Sequence, residues 1–324
     1  QTASVYACNT VSNNERSESF ATNKTQQTQK ILIMNENLFN DAIVRRTVSQ
    51  ALVTVEGELS LYEKLKPEIK NVYEDIERLL NFEAVVFPNI DNDDYETPDP
   101  ELWEKIQDFV VLVAFANSIH SLDLVLTPNG FGIVSNQTLA PASTSRVEDC
   151  RKEQLQKART LLNSISYDLS RLGEYQNTAN YARMISTPCF YGEYISDTTF
   201  ADGHNLAQKI INDLNTFVVH CEYVDRMFMG NDFALALRIK ALQNDLTQTE
   251  FRLFQQYKAV CQLCSETPLE QRHLFPFVLA AENLIDILRY NPEAFSVWHA
   301  SEVGQSYLNS PAYKNEMEKG GFWL

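Results

Sequence analysis

Glycine is scarce in this chain, with ten in 324 residues, and none falls into a G-x-x-x-x-G-K-[ST], G-x-G-x-x-G or G-x-S-x-G pattern. That absence argues against a P-loop, a dinucleotide-binding turn and a nucleophile elbow, each of which needs glycine where backbone must approach a phosphate or turn sharply. Basic residues are also short. Lys and Arg number 27 against 43 Asp and Glu, for a net charge of −16. Such a surface repels nucleic acid and anionic membranes, so a protein that grips DNA by releasing counterions is not expected; DNA passing by without sticking is compatible with it. No apolar run reaches the roughly 18 residues a membrane span needs. The longest, Phe109 to Phe115, suits a buried helix, and no signal peptide is expected, because no basic segment precedes an apolar one near the N-terminus.

Metal and nucleophile chemistry is thinly represented. Six cysteines in a chain this long are not a disulfide framework. Cys261 and Cys264 form a C-x-x-C that a helix would place on one face, but there is no second pair for zinc and no βαβ setting for thioredoxin-like chemistry. Buried free thiols in a reducing compartment are the simpler expectation. The histidines at 120, 204, 220, 273 and 299 are scattered. His220 and Cys221 are adjacent, which on a helix points them about 100° apart. Glu270 and His273 form one Glu-x-x-His where a di-iron bundle needs two. An EF-hand loop starting at Asp91 would have Glu96 at its glycine position and Leu102 at its glutamate position, so the acidic stretch 89–101 reads as a solvated loop. The sequons at Asn23 and Asn136 carry no weight without a secretory signal. No catalytic residue, metal or cofactor is expected. A helical metal protein or enzyme using Glu270, His273, His220 and Cys221 is kept as the rival from another class.

What the chain does have is helical periodicity and enough apolar content, 44%, for a sizeable core. Leu38, Val44, Val48 and Leu52 suit one helix. Leu61, Leu65, Ile69, Val72, Ile76 and Leu79 suit another across 58–80, with Pro67 marking a kink or a fresh start. Residues 102–119 read as a strongly apolar helix at the centre of the first core. Ser145 followed by Glu148 reads as a capping box. It opens a helix whose Leu155, Ala158, Leu162, Ile165, Leu169 and Leu172 alternate in steps of three and four. Helices are expected at 205–229, 232–264 and 268–290.

The one β-signal is Leu122 to Ser135. Two short apolar stretches flank Pro128-Asn129-Gly130, and Asn-Gly tolerates the positive φ of a tight hairpin turn. The fold class expected is therefore mainly α, a helical bundle with one inserted β-hairpin at about 122–135 and extended arms at both ends. The organisation expected is an extended or flexible arm at 1–30, a helical domain with the hairpin at 31–180, a second helical region at 181–306, and a docking tail at 307–324 ending in Phe322-Trp323-Leu324.

The segment from Leu122 through Asn136, with Ala140-Pro-Ala-Ser143 and Ser145-Arg-Val-Glu148, resembles a family of virion proteins from tailed phages and prophages of gut Bacteroidales, crAss-like phages included. Tyr313 to Trp323 is similar to that family's ending, and Glu56-Gly-Glu58 with Tyr62-Glu-Lys64 to its N-terminal part. The resemblance spans about 30–172 and the last dozen residues. It implies a head–tail connector adaptor: a homo-oligomeric, usually dodecameric ring beneath the portal protein, touching tail or other neck proteins. DNA would pass its channel without sequence-specific binding. It implies a structural protein of the virion neck, assembled in the bacterial host cytoplasm, with no enzymatic activity and no membrane. Another neck or tail ring protein of the same particle is the near alternative. The residues expected to serve assembly are Leu124, Leu126, Pro128, Asn129, Gly130, Phe131 and Ile133 of the hairpin, with Phe322 and Trp323 of the tail.

Overall fold

Helix α4, Pro100–Ser118, is apolar around its whole circumference from Phe109 to Ala116, and that decides the first half of the molecule. Asp99 caps it, its carboxylate accepting the Leu102 N–H at 3.0 Å, and Pro100 occupies the first turn where its missing N–H costs nothing. From Phe109 to Ala116 every residue is buried. A helix apolar all round must be covered on every side. The structure, a computed structural model, describes residues 38–48, 59–87, 99–122, 124–127, 130–133, 143–189 and 203–309. Within them α1 (Asp41–Thr47), α2 (Leu61–Leu80) and α5 (Thr144–Ser170) surround α4.

Each neighbour is pinned by polar contacts at the edge of the apolar seam. Arg46 of α1 pairs with Glu104 at 2.9 Å and Asp108 at 2.8 Å, and the Gln107 amide donates to the Leu38 carbonyl at 2.8 Å. Lys105 pairs with Asp168 of α5. Phe39, Tyr73, Phe82, Phe87 and Trp103 meet mostly edge to face, the closest ring centroids being 4.9 Å apart.

The mainly α expectation is met, and the long periodic segments are helices, although the helix expected at 268–290 begins only at Phe275, after a 3-10 turn at Leu269–Gln271. Helix α2 runs unbroken through Pro67, which is exposed, so the carbonyl its ring leaves unpaired faces water. The three-and-four seam of α5 packs inside the subunit, against α4, through Leu155, Ala158, Leu162, Ile165 and Leu169; Leu172 lies beyond the helix end and is partly buried. Two local expectations are corrected. The cap of α5 is Ser143, which accepts from Arg146 N, so Ser145 lies inside the helix and the Ser145–Glu148 box does not form. The single helix expected over 232–264 is two, α8 (Asn231–Leu242) and α9 (Gln248–Glu266). Asn244 at φ 55° turns the chain between them, and a true capping box, Thr247 with Glu250, restarts it. Between α4 and α5, β1 (Leu124–Thr127) and β2 (Gly130–Ile133) pair antiparallel, Leu124 with Ile133 and Leu126 with Phe131. The arm at 1–30, the stretches 88–98 and 190–202, and residues 310–324 lie outside the described residues.

A second hydrophobic cluster forms from α8, α9, α10 (Phe275–Arg289) and α11 (Ser296–Ala300), with fully buried Trp298. Helix α7 (Leu206–Val224) belongs to both: Leu206, Ile210 and Leu214 join the first cluster, Phe217, Cys221 and Val224 the second. Short α6 (Ala179–Met184) joins the first, and α12 (Glu302–Leu308) packs on the end of α7. Gly304 of α12 lies so close to Trp298 that a Cβ there would stand 1.9 Å from the Trp298 carbonyl oxygen.

One half-buried carboxyl ties the turn after α2. Asn81, left-handed at φ 51°, ends that helix, and the Glu77 carboxyl accepts from Phe82 N at 2.8 Å and Glu83 N at 3.1 Å. It thereby caps α3 (Glu83–Val86), whose own N-cap Phe82 offers no side-chain acceptor. Burial first, then the charge of Glu83, push the Glu77 pKa up from 4.5 to about 8, against the two backbone donors. A carboxyl raised in the native state holds a proton that the unfolded chain has released. Stability therefore falls as pH rises from about 4.5 to about 8, by at most ~1.4 kcal/mol per pH unit. Glu77→Gln keeps an acceptor for both N–H groups and cannot ionise, so denaturant titrations across that window should lose most of the slope. An unchanged slope would show that Glu77 is ionised in the native protein.

Candidate functional site

Three places in the described residues combine polar chemistry or exposed surface with defined geometry. The first is buried. Helix α7 ends in a π-turn, Asp225–Met229, closed by Gly230 N donating to Asp225 O at 2.7 Å, with Gly230 at φ 80°. Widened turns leave backbone carbonyls without their usual helical partners. Two of them are met by side chains: Trp298 Nε1 donates to Phe228 O at 2.8 Å and the Tyr307 hydroxyl to Met227 O at 3.1 Å. The turn points Asp225 inward. Its carboxylate accepts from Arg238 Nη1 at 2.9 Å and from the Tyr257 hydroxyl at 2.5 Å, and that hydroxyl accepts from Arg238 Nη1 at 2.6 Å. Burial raises the Asp225 pKa, with Arg238 and Tyr257 opposing it.

Cys221 and Cys261 lie beside this trio, and burial followed by the neighbouring Cys221 pushes the Cys261 thiol well up. Cys261 and Cys264 sit on α9 as free, buried thiols, which makes them poor nucleophiles. The trio is buried, its three groups bonded to one another while Arg238 Nε is left without a partner, and it acts as a clasp that fixes α7, α8 and α9 to one another.

The second is a polar cleft of about 370 Å³ between α2, α4 and the start of α7. Asn117 donates to Glu68 at 2.7 Å and to the Gly203 carbonyl at 2.9 Å, and His204 Nδ1 lies 3.6 Å from Glu68. Asn205, at φ 50°, gives α7 no side-chain cap, and Asp75 of α2 supplies one by accepting from Ala207 N at 2.9 Å. Gly203, at φ +71°, is needed there, since a Cβ would stand 1.9 Å from Asn117 Oδ1. These groups hold the chain entering α7 against the first core. Among the described residues the polar lining is carboxylates, amides, one arginine and one histidine with no serine, threonine, tyrosine or cysteine, and Asn117, Glu68 and Asp75 are engaged in holding α7 to α2 and α4.

The third is apolar surface on α9 and α10. Leu269 is 67% exposed, Phe275 75% and Tyr290 72%, and Phe251, Leu274 and Leu279 are also open to solvent. Glu270 and His273 lie here, both exposed. Glu270 is in a 3-10 turn, Leu269–Gln271, and His273 lies past it, so the Glu-x-x-His is not on one helix face. His220 meets Arg272 at 2.9 Å through Nδ1, and burial, then Arg272, lower its pKa. Cys221 points into the core instead. No group of three His, Cys, Asp or Glu among the described residues could hold a metal ion. No described helix is long and apolar enough to cross a membrane.

Of the residues expected to serve assembly, Leu124 and Leu126 lie on β1 and Gly130, Phe131 and Ile133 on β2. Pro128, Asn129, Phe322 and Trp323 lie outside the described residues. The Asp225–Arg238–Tyr257 clasp escaped sequence reasoning. Its members stand 13 and 19 residues apart on three elements, and only Arg238, set between Leu237 and Ile239, hinted at a buried partner.

Residues 33–184 match a family described as a family of unknown function (DUF6712). The match ends with α6 and leaves the second cluster outside it. Neither a curated protein nor a solved structure matches the chain.

Removing one partner of a buried ion pair strands the other, at a cost of about 3–5 kcal/mol. Arg238→Met should cost that much in denaturant titrations. The double variant Asp225→Leu with Arg238→Met should cost less than the two single changes added together. Strict additivity would show that the clasp does not act as a unit.

Proposed function

We propose that the protein is a structural component of a phage virion, a connector or adaptor ring beneath the portal through which DNA passes. The observation that carries an assembly role is the exposed apolar corner where α9 hands over to α10. Leu269, Leu274, Phe275 and Leu279 stand open to solvent within eleven residues of chain. Single exposed apolar side chains are ordinary, whereas several large ones grouped together mark surface meant for another protein. The resemblance of 122–148 and of the C-terminal segment to phage virion proteins gives that partner its identity: further copies, the portal, and tail or neck proteins.

The rest of the reading follows from physics of the same kind. With a net charge of −16, a ring would offer DNA a repelling wall and let it slide. Segment 122–135 is read as a hairpin inserted in the helical body, placed to add its strands to a neighbour's edge. Its turn chemistry at Asn129-Gly130 and the resemblance support this. Leu124, Leu126, Phe131 and Ile133 would be its contact residues. Head-to-tail contacts that close by rotation yield a ring, and a dodecamer is the copy number the resemblance implies.

Mass photometry and electron microscopy of the purified chain, alone and with portal protein, test this directly. Closed rings should form in at least one condition. A monomer in both would remove the connector reading. Phe275→Asp is the sharper probe. Asp suits the first turn of α10, so folding should change by no more than about 0.5 kcal/mol. Ring formation should fail. Intact rings from that variant would show that the apolar corner is not the interface.

A further inference from the structure

Beside the π-turn runs a groove of about 690 Å³ with α10 along its length. Phe228 and Phe277 meet in it with ring centroids 6.3 Å apart, Val278 and Ile285 line the α10 side, and Tyr307 of α12 stands beside Phe228 at 6.4 Å. We infer that this groove is filled by residues 310–324 of the same chain. The inference does not depend on the connector reading.

The argument begins from where the chain leaves the described structure. Tyr307 lines the groove and Asn309 is the last described residue, so the remaining segment starts at the groove's edge. Helix α10 has 15 residues and is therefore about 22 Å long, whereas the thirteen residues 310–322 can extend to roughly 43 Å. The segment can thus reach any point of the groove.

Its composition suits the lining. Tyr313, Met317, Phe322, Trp323 and Leu324 supply apolar and aromatic side chains. Charge favours it over a second copy's surface. Two copies at −16 each repel, while the segment balances Lys314 and Lys319 against Glu316 and Glu318, and the groove mixes Arg272 and Arg289 with Glu282 and Asp286. A segment tethered at the rim also has an effective local concentration in the millimolar range, which a free partner must exceed. Any protein that uses this face then has to displace the segment first.

Tryptophan fluorescence tests it in the intact chain. The three tryptophans are Trp103, partly buried, Trp298, fully buried, and Trp323. Subtracting the spectrum of Trp323→Phe isolates Trp323. Its emission should be blue-shifted, and less quenched by acrylamide, than that of the synthetic peptide 310–324, and this should persist on dilution. Val278→Asp, a half-buried position on the groove wall, should abolish the protection while far-UV circular dichroism stays unchanged. Tyr290→Asp, at an exposed rim position, gives the same reading if Val278→Asp fails to fold. Peptide-like quenching of Trp323 in the intact chain would overturn the inference. So would protection that survives the groove substitution, or protection lost on dilution, which would place the segment in a neighbouring copy.

Discussion

A helix with apolar residues on all sides cannot remain at a surface, and α4 imposes that condition on the first half of the chain. Between Phe109 and Ala116 no residue is left for solvent. Burying side chains of this size contributes roughly 1.5–3 kcal/mol each, which makes α4 a major source of stability in the first core. Its neighbours are amphipathic and need only one face covered, so each can present a polar side outward. The edges are then fixed by Arg46 with Glu104 and Asp108 and by Lys105 with Asp168. These pairs are partly exposed and add little energy. Their effect is on register, because Arg46 and Lys105 reach these acids only when the helices are aligned as they are.

The second half solves a different problem. Its helices are shorter, and it is held to the first through α7, which gives its first turns to one cluster and its last turns to the other. Ending that helix in a π-turn rotates Asp225 into the interior and strips two carbonyls of helical partners. Arg238 and Tyr257 answer the first consequence, Trp298 and Tyr307 the second. The widened turn therefore gathers α8, α9, α11 and α12 around one point. The polar groups buried there serve placement of helices.

Periodicity made the long helices legible, because repeated apolar spacing over five or more turns leaves no alternative face. The seam of α5 and the apolar run of α4 belong to this kind. Local signals were less dependable. Ser143 and Ser145 are both chemically fit to cap, and the choice between them depends on where the chain arrives from residues the periodic pattern does not cover. The break between α8 and α9 was hidden because Asn244 can be helical or left-handed, and the capping box at Thr247 is visible only once a break is suspected. The buried clasp joins three elements at separations no local pattern encodes. The apolar corner at Leu269–Leu279 falls within a segment expected only as a helix, since sequence alone does not say which side of an amphipathic helix lacks a neighbour.

That corner and the overall charge pull in opposite directions, and their combination narrows how this protein can associate. A net charge of −16 disfavours close approach of identical copies through a generic surface, and salt would screen that repulsion within about 10 Å at ordinary ionic strength. Association is then favoured where exposed apolar side chains are grouped. Leu269, Leu274, Phe275 and Leu279 form one such patch. In the connector proposed above, repulsion elsewhere would penalise misregistered contacts more than correct ones, so a strongly acidic subunit with a few apolar patches would be selective in how it assembles. The same repulsion that would keep DNA from adhering to a ring would also keep its subunits from joining in the wrong order.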